Sequence, residues 1–105
     1  MIPTLNQTMA NELDTIKIRI ESYLAQHDMD QYKVQIWIES KTYEFSGAQG
    51  IFPVLVVKIG RKKKVLELVD LVEEFDTTDF SEIISALAED PDLVDNRGLA
   101  GELWY

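Results

Sequence analysis

The chain holds one histidine, His27, and no cysteine, which narrows the chemistry open to it. Without a thiol there is no disulfide, no cysteine nucleophile and no cysteine-ligated zinc. His27 stands beside Asp28 and Asp30, and imidazole with carboxylates is a ligand set suited to a divalent ion. No further ligand follows at a known metal-site spacing, so these residues read as a polar turn between two elements, and no metal is expected. A serine hydrolase would need His27 near a serine and a carboxylate, and the G-x-S-x-G nucleophile elbow is absent. Paired carboxylates serve glycoside hydrolysis, but with nineteen Asp and Glu residues any fold brings some pair together. Asp90, Asp92 and Asp95 resemble the start of a calcium loop. However, Val94 occupies the third acidic slot, and Asp95 stands where the sixth-position glycine belongs. Gly47 and Gly50 fit neither the G-x-x-x-x-G-K nor the G-x-G-x-x-G phosphate loop. The expectation is a non-enzymatic protein without cofactors.

Charge is the stronger signal. The formal net charge is −9, and it is unevenly placed. Residues 1–66 carry nine Lys or Arg and seven Asp or Glu, a balance of +2. Residues 67–105 carry one basic residue, Arg97, and twelve acids, a balance of −11. A net negative chain repels nucleic acid and anionic lipid at long range, so neither is expected as a direct partner. The first expectation is a small protein-binding module, of adaptor, chaperone-like or immunity-inhibitor type, whose acidic half steers it onto a basic partner surface. Its candidate contact residues are Glu73, Glu74, Asp76, Asp90, Asp92 and Asp95, with Trp37, Trp104 and Tyr105 as aromatic anchors. The alternative is a nucleic-acid mimic, in which Asp79, Glu82 and Glu89 join those acids in imitating phosphates. A small enzyme with an unfamiliar carboxylate site is the third reading. The plain reading is a solvated acidic surface.

The elements that must position these residues follow from periodicity. At 105 residues and 46% hydrophobic content, the chain is expected to form one domain around one core. Residues 4–26 predict a helix. Thr4 and Gln7 form a capping box, and Leu5, Met9, Leu13, Ile16 and Ile20 make one apolar stripe, continued by Tyr23 or Leu24. Ile18 falls off that stripe, while Lys17 and Arg19 join the solvated face. Such a stripe reads as core, with a dimer seam as the alternative. Residues 32–39 alternate, with Tyr32, Val34, Ile36 and Ile38 on one face and Trp37 on the other, the mark of a strand. Residues 46–50 read as a loop.

The stretch 51–76 holds the densest apolar run. Val54, Leu55, Val56 and Val57 suit a strand buried on both faces. Residues 65–72 are ambiguous, because Val65, Leu68, Val69 and Val72 also fit helical spacing. A helix there would begin on Arg61, Lys62, Lys63 and Lys64 and end on Glu73, Glu74 and Asp76, against its own dipole at about 0.3–1 kcal/mol per misplaced charge. A hairpin turning over residues 60–63 avoids that cost. Its basic turn reads as a gatekeeper that keeps the apolar strand soluble, or as a contact for a phosphate or acidic partner. Asp79 and Glu82 then open a second helix on which Phe80, Ile83, Ile84, Leu87 and Ala88 share one face. Pro91 stops it.

The predicted architecture is α+β, a three-stranded antiparallel meander of residues 32–45, 51–59 and 65–72 with both helices on one face. In general shape an acidic α-β-β-β-α chain resembles the small bacterial secretion chaperones, an analogy of fold alone that implies partner binding. Residues 1–14 lack the basic and apolar regions of a signal peptide. No apolar run reaches the roughly 20 residues of a membrane span, so a cytoplasmic location is expected.

Overall fold

The computed structural model describes residues 7–94 and 97–99. In order they form α1 (Gln7–Gln26), β1 (Val34–Phe45), β2 (Ala48–Ile59), β3 (Lys62–Glu67), a 3-10 turn (Leu68–Leu71) and α2 (Phe80–Glu89). The strands make an antiparallel meander with β2 in the middle. The α-β-β-β-α order is the one expected.

Helix α1 buries the predicted stripe. Leu13, Ile16, Ile20 and Leu24 are in the core, and Met9 and Tyr23 pack against it. The Thr4 capping box lies outside the described residues. Off-stripe Ile18 stays 52% exposed. At its C-terminus the Met29 N–H donates to the Leu24 carbonyl at 2.8 Å, and the Asp28 N–H donates to the Ala25 carbonyl. Asp28 takes φ 58°, which makes this a Schellman stop with aspartate where glycine is usual.

Register sorts the sheet into two faces. Val34, Ile36 and Ile38 oppose Ile59, Val57 and Leu55, and Leu66 opposes Leu55 from β3. These seven side chains face the helices and belong to the core or pack on it. The other face aligns Trp37, Val56 and Val65, and beside them Glu39, Val54 and Glu67. Val54, Leu55, Val56 and Val57 are each at most 2% exposed, so this part of the middle strand is buried on both faces as its composition predicts. Emptying one such site, Leu55→Ala for example, costs about 2–5 kcal/mol.

Two expected boundaries are corrected. Residues 46–50 are not a loop. Phe45 pairs with Ala48, leaving a two-residue turn in which Ser46 (φ 48°) and Gly47 (φ 86°) both take positive φ. That is the geometry that matches hairpin twist, and it frees residues 48–50 to extend β2. The third strand also begins earlier and ends sooner than residues 65–72. Ile59 pairs with Lys62, so the turn is Gly60 and Arg61 alone, and the lysines belong to the strand. Beyond Glu67 the chain coils, because Leu68 and Leu71, three residues apart, are both buried. A strand would have sent one of them to each face.

Helix α2 matches its expected bounds. The Ser81 N–H donates to Asp79 Oδ1 at 3.0 Å. The predicted box closes through an intermediary: the Thr77 hydroxyl donates to Glu82 Oε2 at 2.6 Å and accepts the Asp79 N–H at 3.1 Å. Arg19, expected on the solvated face of α1, instead reaches the other end of α2. Its Nη1 donates to the Ala88 carbonyl at 2.9 Å, where a cation complements the helix dipole.

Candidate functional site

The acidic half of the chain is arranged by the coil that follows β3. The 3-10 turn holds Leu68 and Leu71 inward and leaves Asp70 exposed. The next turn closes when the Thr77 N–H donates to the Val72 carbonyl and the Asp76 N–H to Glu73, with Asp76 at φ 49°. This is a second Schellman arrangement with aspartate at its left-handed position. It exposes Glu73 and Asp76, and the α2 cap and helix then expose Asp79, Glu82 and Glu89. Past α2, the Asp92 N–H donates to Asp90 Oδ1 at 2.9 Å, leaving Asp92 exposed. Two hydrogen bonds from Ser81, through its hydroxyl and its N–H, hold the Asp79 carboxyl below the usual carboxylate range.

Not all the acids named from sequence are equal. Arg97 takes two of them. Its Nη1 and Nη2 meet the two oxygens of Glu74 at 2.7 Å each, and its Nε meets Asp90 Oδ2 at 3.0 Å. The guanidinium also stands 5.4 Å from the centre of the Phe75 ring. The bond to Glu74 is the leading reason that the Arg97 pKa rises. Glu74 and Asp90 are thus paired within the molecule, although Glu74 remains exposed, whereas Glu73, Asp76 and Asp92 face solvent without an ion-pair partner among the described residues. Asp95, Trp104 and Tyr105 lie outside the described residues.

Trp37 sits on the sheet face away from the helices, half-buried, and its Nε1 donates to Glu39 Oε1 at 2.7 Å. Farther along that face, Lys41 Nζ pairs with Glu67 Oε1 at 3.3 Å and stands 5.2 Å from the centre of the Tyr43 ring. The neighbouring Tyr43 hydroxyl and then the hydrogen bond from Lys41 hold the Glu67 carboxyl below its ordinary value. Burial of the Tyr43 hydroxyl, with Glu67 beside it, pushes that phenol up. These contacts stitch the β1–β2 hairpin to β3 across the sheet, a connection with no local sequence signal.

The His27 turn does not gather ligands. The His27 ring packs on Tyr23 with centroids 4.1 Å apart, and Asp28 and Asp30 are exposed. Among the described residues no three His, Asp or Glu side chains come together as a metal-binding group, and no helix is long and apolar enough to cross a membrane. Below the basic turn lies a cavity that sequence reasoning missed, about 610 Å³ in volume. Leu24, Met29, Tyr32 and Ile59 wall it, together with the turn residues Gly60, Arg61 and Lys62. The chain matches no protein-family model, no curated protein and no solved structure.

Proposed function

We propose that the chain is a non-enzymatic protein-binding module that docks on a basic partner surface through the acidic segment from Asp70 to Asp92. One observation carries this reading: Asp70, Glu73, Asp76, Asp79, Glu82, Glu89 and Asp92 are exposed on a segment, residues 65–96, that contains no Lys or Arg. The one cation of that half, Arg97, engages Glu74 and Asp90 and leaves these seven uncompensated. Like charges held together repel, and a basic partner relieves that repulsion while the field speeds its approach. The contact set is therefore narrower than the sequence suggests. Glu73, Asp76 and Asp92 carry it, and Glu74 and Asp90 hold its frame. A nucleic-acid mimic requires most of the same acids as a row of phosphate substitutes, and the diversion of Glu74 and Asp90 to Arg97 favours the simpler docking surface.

The test is capture from nuclease-treated extract by wild type and by the triple variant Glu73→Gln, Asp76→Asn, Asp92→Asn. Asparagine tolerates the positive φ at residue 76. The expected result is a basic partner bound by wild type at low salt, released at high salt and not captured by the variant. A partner held equally by both proteins at both salt concentrations would sink the reading.

A further inference from the structure

The basic turn and the cavity beneath it suit a different kind of ligand, and the local sequence explains why the cavity exists. The Schellman stop of α1 folds Met29 back toward Leu24 through the 2.8 Å bond from its N–H to the Leu24 carbonyl; an apolar contact between these two positions commonly accompanies that motif. The chain then carries Tyr32 over Gly60. A Cβ built on Gly60 would stand 2.9 Å from Tyr32 Cδ1, so the ring occupies space that only glycine leaves open. Gly60 also takes φ 60°, which opens the tight turn into β3. The result is a wall of buried Leu24 and Ile59, half-buried Met29 and a Tyr32 that is 47% exposed. Its volume, about 610 Å³, lies inside the roughly 300–1,000 Å³ usual for small-molecule sites.

The remaining lining is cationic. Arg61 and Lys62 are both exposed, at the solvent side of an otherwise apolar space. Around them the fold concentrates charge of the same sign. Lys64 opposes Val57 on the helix-facing side of the sheet, and Lys63 opposes Lys58 on the other. The Lys33 carbonyl accepts the Gly60 N–H at 3.0 Å, which places Lys33 at the same end. Asp28 and Asp30, in the adjoining turn, are exposed and contribute nothing to the lining. A gatekeeper role accounts for lysines along a strand but not for the apolar volume under the turn. The protein's overall negative charge does not cancel this end, because exposed charges are screened beyond about 8 Å at physiological salt.

We propose that this cavity binds a single-chain anionic amphiphile, of which a medium-chain fatty carboxylate is the simplest form. Its chain lies against Leu24, Met29, Tyr32 and Ile59, and its head group meets Arg61 and Lys62. The site is independent of the acidic surface, so neutralising Glu73, Asp76 and Asp92 leaves it intact.

The test titrates isotope-labelled protein with decanoate, decanol and decyltrimethylammonium, each below its aggregation concentration. Decanoate is expected to shift the methyl signals of Leu24, Met29 and Ile59 saturably. It should bind on the order of tenfold more tightly than decanol, the effect of one charge-assisted contact, with the cationic probe weakest. The double variant Arg61→Gln, Lys62→Gln alters only exposed side chains, and its fold is checked by circular dichroism. It should bring decanoate down to the affinity of decanol and leave decanol unchanged. Equal binding of all three probes, shifts confined to other residues, or no saturable shift would each overturn the proposal. So would sedimentation with phosphatidylserine vesicles in the absence of decanoate binding, which would assign the lysines to a lipid surface instead.

Discussion

Replacing Arg97 by alanine removes three charge-assisted contacts at once, and their geometry sets the size of the effect. The two 2.7 Å contacts go to Glu74, whose side chain is 47% exposed. Water replaces much of what is lost there, so this pair falls in the surface range of about 0.2–1 kcal/mol. The 3.0 Å contact goes to Asp90, only 12% exposed. That carboxylate keeps its burial and loses its cation, a loss of about 1–2 kcal/mol. The guanidinium over Phe75 at 5.4 Å adds roughly 0.5–1 kcal/mol. The sum is about 2–4 kcal/mol, and in a domain of this size it lowers Tm by roughly 10 °C or more. Urea unfolding of wild type, Arg97→Ala, Asp90→Asn and the double variant measures it directly. The cycle should return a coupling of about 1 kcal/mol or more between Arg97 and Asp90. A loss under about 0.5 kcal/mol for Arg97→Ala, or strict additivity in the cycle, would refute the argument that this residue joins the turn after β3 to the end of α2. The variant also releases Glu74 and Asp90, so at temperatures where it remains folded it should bind a basic partner more tightly than wild type does.

Asp28→Gly and Asp76→Gly each relieve a side chain held at positive φ, at 58° and 49°. After the greater chain entropy of glycine is subtracted, each should raise stability by about 0.5 kcal/mol in chemical denaturation; a loss at both sites would mean that these carboxylates stabilise the turns in another way. Glu67 provides a pH test. Its folded pKa is lowered from the ordinary 4.5 by the neighbouring Tyr43 hydroxyl and by the hydrogen bond from Lys41, so its contribution is fully present above that value and is lost as pH falls through the folded pKa. Wild type should therefore be more stable than Glu67→Gln at neutral pH, with the difference shrinking as pH is taken below about 4.5; a difference that stays constant through that range would remove the linkage.

The parts of the fold legible in sequence are those decided by neighbours in the chain. The alternation at Val34, Ile36 and Ile38 is a period-two signal with no rival. Helix α2 carries its cap at Asp79, its stripe and its stop at Pro91 within a dozen positions. The Val65–Val72 region was harder because two periods are present in succession. Lys62–Glu67 is strand, and Leu68 and Leu71 then follow the three-residue step of a 3-10 turn. A single period fitted across both averages them away. The hairpin at Ser46 and Gly47 was obscured differently, since only the second residue is a usual positive-φ type, and a five-residue polar stretch looks like a loop. Arg19 on the end of α2 and Arg97 on Glu74 depend on reach across 69 and 23 positions, which no local pattern encodes. The cavity was missed for the same reason. Its wall joins the stop of α1 to the turn before β3, and its one sequence trace is the placement of Met29 five positions after Leu24, a spacing meaningful only once Asp28 is known to be left-handed.

The separation of charge is itself an argument about purpose. A chain with ten cations and nineteen acids has ample means to pair them, and close pairing would soften the repulsion within each cluster. The ion pairs between described residues engage Lys41 and Arg97; Arg61, Lys63 and Lys64 enter none of them. Register explains how the clusters stay apart. The cations end with Lys64, which pairs with Val57 near the turn, and the acids begin at Glu67, after β3 has carried the chain away from that turn. Exposed pairs contribute little to stability, about 0–1 kcal/mol each, so folding alone applies weak pressure either to form them or to avoid them. What separated clusters do supply is field at two places on one surface. The acidic one extends over the coil and α2, suited to the broad contact of a macromolecule. The basic one rims a largely apolar pocket that opens to solvent, suited to a small molecule with an anionic end. If both sites operate, each has its own salt dependence and its own neutralising variant, and a change in one leaves the other unchanged.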